Sequence, residues 1–209
     1  MGQEIGLLKS RIGNLQSAYN ALYHLGLDPI WVDEDFRSYD ELSHLIVPGV
    51  GHFGAVMAHL NESGFSDHIR RFAGSGRPLL GICVGMQVLA TVGTEGGDTL
   101  GLGLIEARVE RLPEGDGLTL PHVGWNNVAL TADHPVFADI KPNRDFYFVH
   151  SFGVTTANEA ESLGTTVYGR SFASIIGRGN VLGFQFHPEK SQANGLKLLE
   201  NFCFWDGQC

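Results

Sequence analysis

Two short segments carry residue types that together can perform nucleophilic chemistry. They are Gly81-Ile82-Cys83-Val84-Gly85 and, about a hundred residues later, Gln185-Phe186-His187-Pro188-Glu189. The first follows the apolar run Pro78-Leu79-Leu80 and precedes the helix-like run Met86-Gln87-Val88-Leu89-Ala90. Strand, tight turn and helix are the setting of a nucleophile elbow, G-x-[nucleophile]-x-G. Glycines flank such a turn because side chains there would collide with neighbouring backbone. The sulfur of Cys83 is expected at the end of a strand, above a helix N-terminus that favours a thiolate. His187 and Glu189 supply the other two parts of a Cys-His-acid triad. A cysteine in an apolar stretch is otherwise a small core residue, so the His-x-Glu pair is the independent feature that favours chemistry.

The elements needed to position these groups are legible in outline. Ile5-Gly6-Leu7-Leu8 reads as a strand, and Asn14 as the N-cap of a helix running to about His24, with Gly26 just past its end. Leu27 to Val32 and Leu45-Ile46-Val47 read as further strands, the latter ending at Pro48-Gly49-Val50-Gly51. Helices are expected near Phe53–Leu60 and Asp67–Ala73, before the elbow. This β-α-β-α order predicts an α/β domain with a parallel sheet and helices on both faces. From Gly103 to Phe186 the pattern changes to short runs of strand type: Leu104–Val109, Asn127–Leu130, Phe146–Val149, Thr165–Tyr168, Ser174–Ile176 and Val181–Phe186. These predict antiparallel or mixed strands. Gln192–Phe204 reads as a closing helix with Leu196, Leu198, Leu199 and Phe202 for the core.

Composition sets the class. A chain of 209 residues that is 43% hydrophobic reads as a single domain with a substantial core. Its net charge of −9, without a basic run, argues against nucleic acid and anionic membrane surfaces. No apolar stretch has bilayer-spanning length, and no signal peptide is evident. Three cysteines without a C-x-x-C spacing predict neither a disulfide framework nor a zinc site. No metal or cofactor is expected, and a reducing cytoplasm suits a free thiol. Cys203 and Cys209 read as incidental.

Open α/β sheets bind ligands beyond the carboxyl ends of their strands. Three segments end there: Pro48–Gly51, the Cys83 elbow and the loop after Gly183–Phe186. Cys83 would attack an acyl carbon, with His187 as base and then acid, and Glu189 orienting the imidazole. The Val84 N–H is a natural oxyanion donor. The loop Gly49-Val50-Gly51 offers a second donor, or is an ordinary turn.

The motifs Gly81 to Gln87 and Phe186-His187-Pro188-Glu189-Lys190-Ser191 resemble those of the class I (Cys-His-Glu) glutamine amidotransferases. Pro48-Gly49-Val50-Gly51-His52-Phe53-Gly54, Pro121-His122-Val123-Gly124-Trp125-Asn126 and Tyr147-Phe148-Val149-His150-Ser151-Phe152 are similar to segments of one branch, the glutaminase subunits of imidazole glycerol phosphate synthase. The likeness runs from about Ile5 to Phe204. It implies a flavodoxin-like three-layer sandwich, a mainly parallel central sheet with antiparallel strands added in the second half, and one domain over residues 1–209. It further implies hydrolysis of L-glutamine to glutamate and ammonia, and passage of the ammonia to a (β/α)8-barrel cyclase subunit. In that family the cyclase makes imidazole glycerol phosphate and aminoimidazole carboxamide ribotide.

Carried over by motif, Cys83, His187 and Glu189 form the triad. Gly51 and Gln87 contact glutamine, Glu95 binds its α-amino group, and His150, Ser151 and Phe152 line the pocket. Val50 belongs to a loop whose peptide reorients to complete the oxyanion hole with Gly51 and Val84. Asn14, the run from Pro121 through Trp125 to Asn126, and Lys190 face the cyclase. Taken alone, His150 and Trp125 would also suit a core, and Glu95 and Lys190 a solvated surface. Two departures stand out. Where many family members carry Asp-Tyr-Gly-x-Gly-Asn, this chain has Lys9-Ser10-Arg11-Ile12-Gly13-Asn14. That admits a second reading, a paralogue feeding ammonia to a sugar-modifying (amidino-sugar) synthase. Phe152 also stands where Tyr is common. A peptidase with the same elbow, or a non-catalytic binding module, fits the motifs less well.

Overall fold

The computed structural model describes residues 3–9, 15–115 and 117–208. Asn14 and the Ser10–Gly13 stretch lie outside the described residues. The elements run β1 (Ile5–Leu8), α1 (Leu15–His24), β2 (Ile30–Val32), β3 (His44–Gly49), α2 (Phe53–Glu62), α3 (Phe65–Gly74), β4 (Leu79–Cys83) and α4 (Val84–Gln87). The second half runs β5 (Val92–Gly93), β6 (Thr99–Leu100), β7 (Ala107–Arg111), β8 (His122–Leu130), β9 (Arg144–His150) and β10 (Phe152–Thr156). It closes with β11 (Ser162–Tyr168), β12 (Arg170–Arg178), β13 (Val181–Phe184) and α5 (Gln192–Phe204).

The strands β2-β1-β3-β4-β13 lie side by side in that order, all parallel. This is the flavodoxin-like order, with a switch of direction at β1 and β3. Right-handed crossovers then put the helix after β1 and the helices after β3 on opposite faces. The packing agrees: α1 contacts α5, while α2 contacts α3 and α4. β1, β3, β4 and β13 are buried along their whole length, which is why they read as unbroken apolar runs rather than alternating ones. In α3, Phe65, Ile69, Phe72 and Ala73 fall on one face and are buried.

Beyond β13 the sheet turns antiparallel through β12, β10 and β7. The long β12 also carries β11, which leads to β8 and then β9. The two-residue β5 and β6 and the strand β10 were not anticipated. Two-residue strands carry no periodicity, and of β10 only Phe152 stands out in the sequence, as pocket lining.

Two boundaries differ for identifiable reasons. The strand expected from Leu27 begins only at Ile30, because Gly26 adopts a left-handed φ of +79° and the turn extends past it. The helix expected to run through Ala90 ends at Gln87. Backbone N–H groups of Leu102, Gly103 and Leu104 take the carbonyls of Val88, Ala90 and Leu89 at 2.7, 3.1 and 2.9 Å. Long-range pairing here displaces helical hydrogen bonding.

Candidate active site

Cys83 closes β4, held between β3 and β13, with Gly49 opposite it and Ile82 opposite Phe184. Its φ of +56° and ψ of −114° are strained for a residue with a side chain, a cost of about 1–3 kcal/mol held by the surrounding sheet. Gly81 and Gly85 make the turn possible. A Cβ on Gly81 would run into the Gly85 carbonyl, and one on Gly85 into the Val47 carbonyl. Val84 opens α4, whose first N–H groups have no acceptor within the helix. Cys83 is 3% exposed, and its Sγ lies 3.9 Å from the Val149 carbonyl and 4.0 Å from Gln185 Nε2.

His187 follows β13 on the next loop. Its backbone is fixed twice: its N–H donates to the Tyr147 carbonyl at 2.9 Å, and its carbonyl accepts from Ser191 Oγ at 2.6 Å. Nδ1 meets Glu189 Oε1 at 2.8 Å, with both side chains buried. Behind them, Phe186 stacks on Phe146 and Phe184 at 4.2 and 5.3 Å and excludes water. Burial alone would discharge the imidazole. Cys83 and then Glu189 outweigh it and push His187 up to about 9. His187 Nε2 is buried without a hydrogen-bond partner of good geometry, which leaves it the ring atom available to the Cys83 sulfur and the substrate. The three residues form a buried acid–imidazole–thiol set in which imidazolium is the resting form of His187 at neutral pH.

Val50, Gly51, Cys83, Val84, Gln87, Glu95, His150, Ser151 and Phe152 all line one cavity of about 280 Å³. Pro121, placed by sequence at the partner face, lines it too, as does Val149. Larger surface hollows lie around Thr131–Ile140, beside Thr155 and between Trp125 and Asn194, but none of the three is lined by Cys83. Gly51 sits at a φ of +117°. Glu95 is partly committed: its Oε2 accepts the Phe53 N–H at the start of α2 at 2.7 Å. Gln87 Nε2 donates to the Phe152 carbonyl at 3.0 Å and to Gln185 Oε1 at 3.1 Å, so its Oε1 is the atom left for a ligand. Gln185, fully buried, was missed as a site residue although it sits in the His187 motif.

Of the expected partner-facing residues Pro121 lines the cavity, Trp125, Asn126 and Lys190 lie outside its lining, and Asn14 falls outside the described residues. Trp125 and Val123 are 49% and 56% exposed on the outer face of β8. Across the strand pair stand Tyr147 and Val149. Trp125 meets Tyr147 edge-on at 6.2 Å, and Lys190 Nζ lies 5.8 Å from the same ring. Asn126 points the other way, to the Val167 carbonyl at 3.1 Å. Tyr147 is an addition to the sequence-based set. Val123 and Trp125 alternate with His122, Gly124 and Asn126 along β8, and it is the phase carrying Val123 and Trp125 that is exposed. Cys203 is buried in α5, and burial pushes its thiol up to about 12, which fits an inert core residue.

The family profile described as Glutamine amidotransferase class-I matches residues 9–205. A protein named imidazole glycerol phosphate synthase subunit HisH from Symbiobacterium thermophilum is 46% identical over 91% of this chain and 89% of its own length. One of the same name from Sulfurimonas denitrificans is 41% identical over 95% and 96%. The chain belongs to the class I glutamine amidotransferase family, in its imidazole glycerol phosphate synthase branch. Solved structures agree on the amidotransferase fold. A structure titled glutamine amidotransferase superimposes with a TM-score of 0.71 at 24% identity, over 95% of this chain and 96% of that one. The structure of PurLQS from Thermotoga maritima gives 0.75 at 19% identity, over 97% and 98%. Among the described residues no helix is long and apolar enough to cross a membrane.

Proposed function

We propose that this chain is the glutamine-hydrolysing subunit of an imidazole glycerol phosphate synthase, working as one amidotransferase domain in the cytoplasm. The observation that carries the reading is Cys83. It stands on a strained elbow in the same cavity as Gln87, Glu95 and the Gly51 turn, with the His187–Glu189 pair behind it. The Cys83 thiolate attacks Cδ of glutamine. The N–H of Val84 and one from the Val50–Gly51 turn hold the oxyanion. The C–N bond breaks as His187 gives its proton to the leaving ammonia, leaving a thioester. Hydroxide formed as His187 takes a proton from water then adds to the thioester, the C–S bond breaks to release glutamate, and the thiolate with protonated His187 is restored. Gln87 Oε1 and the free oxygen of Glu95 suit an ammonium group on the substrate.

The partner in this reading is the (β/α)8-barrel cyclase. An apolar strip of Val123, Trp125 and Tyr147 borders the cavity through Val149 and Pro121, so a subunit seated there would cap the pocket and receive ammonia rather than lose it to water. The deciding experiment measures glutamate release by the purified chain, alone and with the cyclase plus its nucleotide ligand. Strong stimulation by the liganded cyclase is expected. Hydrolysis that the cyclase never stimulates would leave Cys83 as nucleophile and refute the partner.

A further inference from the structure

Two histidines beside the pocket form a hydrogen-bonded chain whose proton direction is fixed. His150 Nδ1 lies 2.8 Å from the Phe152 carbonyl, which can only accept, so Nδ1 carries the hydrogen. His150 is 6% exposed and neutral, since burial drives it down to about 3. Its Nε2 is therefore a lone pair, and His122 Nδ1, 3.0 Å away, must donate to it. His122 is also neutral, driven by burial to about 4, which leaves its Nε2 as an acceptor. Asn126 Nδ2 donates there at 3.2 Å. The Asn126 amide is oriented independently, because its Oδ1 accepts the Asn127 N–H at 2.8 Å. Both imidazoles thus hold the Nδ1–H form. At the inner end, the Phe152 carbonyl also receives Gln87 Nε2.

We infer that His122 is a positioning residue for glutamine binding: through His150 it holds the Phe152 carbonyl, and with it Gln87, so that Gln87 offers Oε1 to the substrate. His122 does not itself line the cavity and reaches it only through His150. Its ring stacks on Tyr168 at 4.1 Å and on Phe148 at 5.0 Å, so packing is the competing explanation for its presence. The inference rests on the glutaminase reading above, and its outer end at half-buried Asn126 lies one residue from Trp125 on the face assigned to the cyclase.

Two substitutions separate the roles. His122→Phe keeps the ring and removes the donor. His122→Asn removes the ring and keeps an N–H where Nδ1 stood. Glutaminase kinetics of the chain with its liganded cyclase should show KM for glutamine raised about 3–10-fold by His122→Phe, with kcat within about twofold. His122→Asn should restore KM while lowering Tm. Equal KM values in the two variants, or a raised KM only in His122→Asn, would overturn the inference. Independently of activity, ¹⁵N spectra of the histidine-labelled free chain at pH 7 should show Nδ1–H at both His122 and His150; an Nε2–H form at either also overturns it. A wild-type chain that hydrolyses no glutamine would sink the glutaminase reading and leave that spectrum to judge the chain of bonds.

Discussion

His187 and His150 are both buried beside the same cysteine pocket, and their protonation is driven in opposite directions. Burial pushes both toward the neutral form. On the His187 side stand a thiol and a carboxylate, and the imidazole rises to about 9. On the His150 side the partners are a carbonyl, which favours the charge, and two histidines, which oppose it; the ring falls to about 3. Burial sets the default and the neighbours set the sign. One wall of the pocket is therefore built to move protons, and the other to hold them still.

The largest expected effect comes from removing the thiol. Cys83→Ala should lower glutamine-dependent synthesis by about 10⁴-fold or more while ammonia-dependent synthesis by the cyclase continues. The same variant should let the His187 titration fall toward the ordinary histidine value, followed by NMR, with His150 unmoved. Loss of ammonia-dependent synthesis as well would put the chemistry in the wrong subunit. Next, Glu189→Gln should cost about 10²–10⁴-fold in kcat/KM, as the orienting acid does in Ser-His-Asp triads, and lower the His187 pKa. If the pKa stayed put, the contrast drawn between the two walls would lose its basis. Trp125→Ala lies outside both walls. It should weaken cyclase binding about 5–30-fold, read by calorimetry, and leave glutamate release by the free chain near its starting value.

A further effect is in pH. The glutaminase rate should fall about tenfold per unit above about pH 9, as His187 loses its proton, and show no limb from His150 or His122 between pH 5 and 9. Folding follows the same group. The folded chain keeps the His187 proton to about 9, whereas an unfolded histidine releases it near 6.5. The imidazolium contribution to stability is thus complete below about pH 6.5 and is lost as pH rises through about 9. Urea titrations at pH 6 and pH 10 measure it.

The two walls were not equally legible in the sequence. The charged wall follows from local rules: Gly81 and Gly85 announce the elbow, and His187 and Glu189 are two residues apart in one motif. The parallel strands β1, β3 and β4 were readable because full burial leaves uninterrupted apolar runs. The neutral wall depends on pairings that no local pattern encodes. His122 meets His150 because β8 and β9 pair antiparallel in one register, His122 opposite His150. Gln87 reaches Gln185 across 98 residues of chain. The end of α4 differs from the sequence reading for the same reason, since the carbonyls of Val88, Leu89 and Ala90 just beyond it are claimed by the distant Leu102–Leu104 backbone. Single residues of the pocket were recognised by motif, while their connections required the fold.

The crowding around Gly81 and Gly85 also governs how this site can drift over generations. The reacting atom itself is replaceable, because exchanging sulfur for oxygen or hydrogen at Cys83 leaves the backbone path unchanged. The flanks are not, since one added methyl meets main chain rather than a yielding side chain. A lineage that lost the activity would keep the glycines for folding after the cysteine had gone, and such relics would betray their ancestry by an elbow with nothing at its tip.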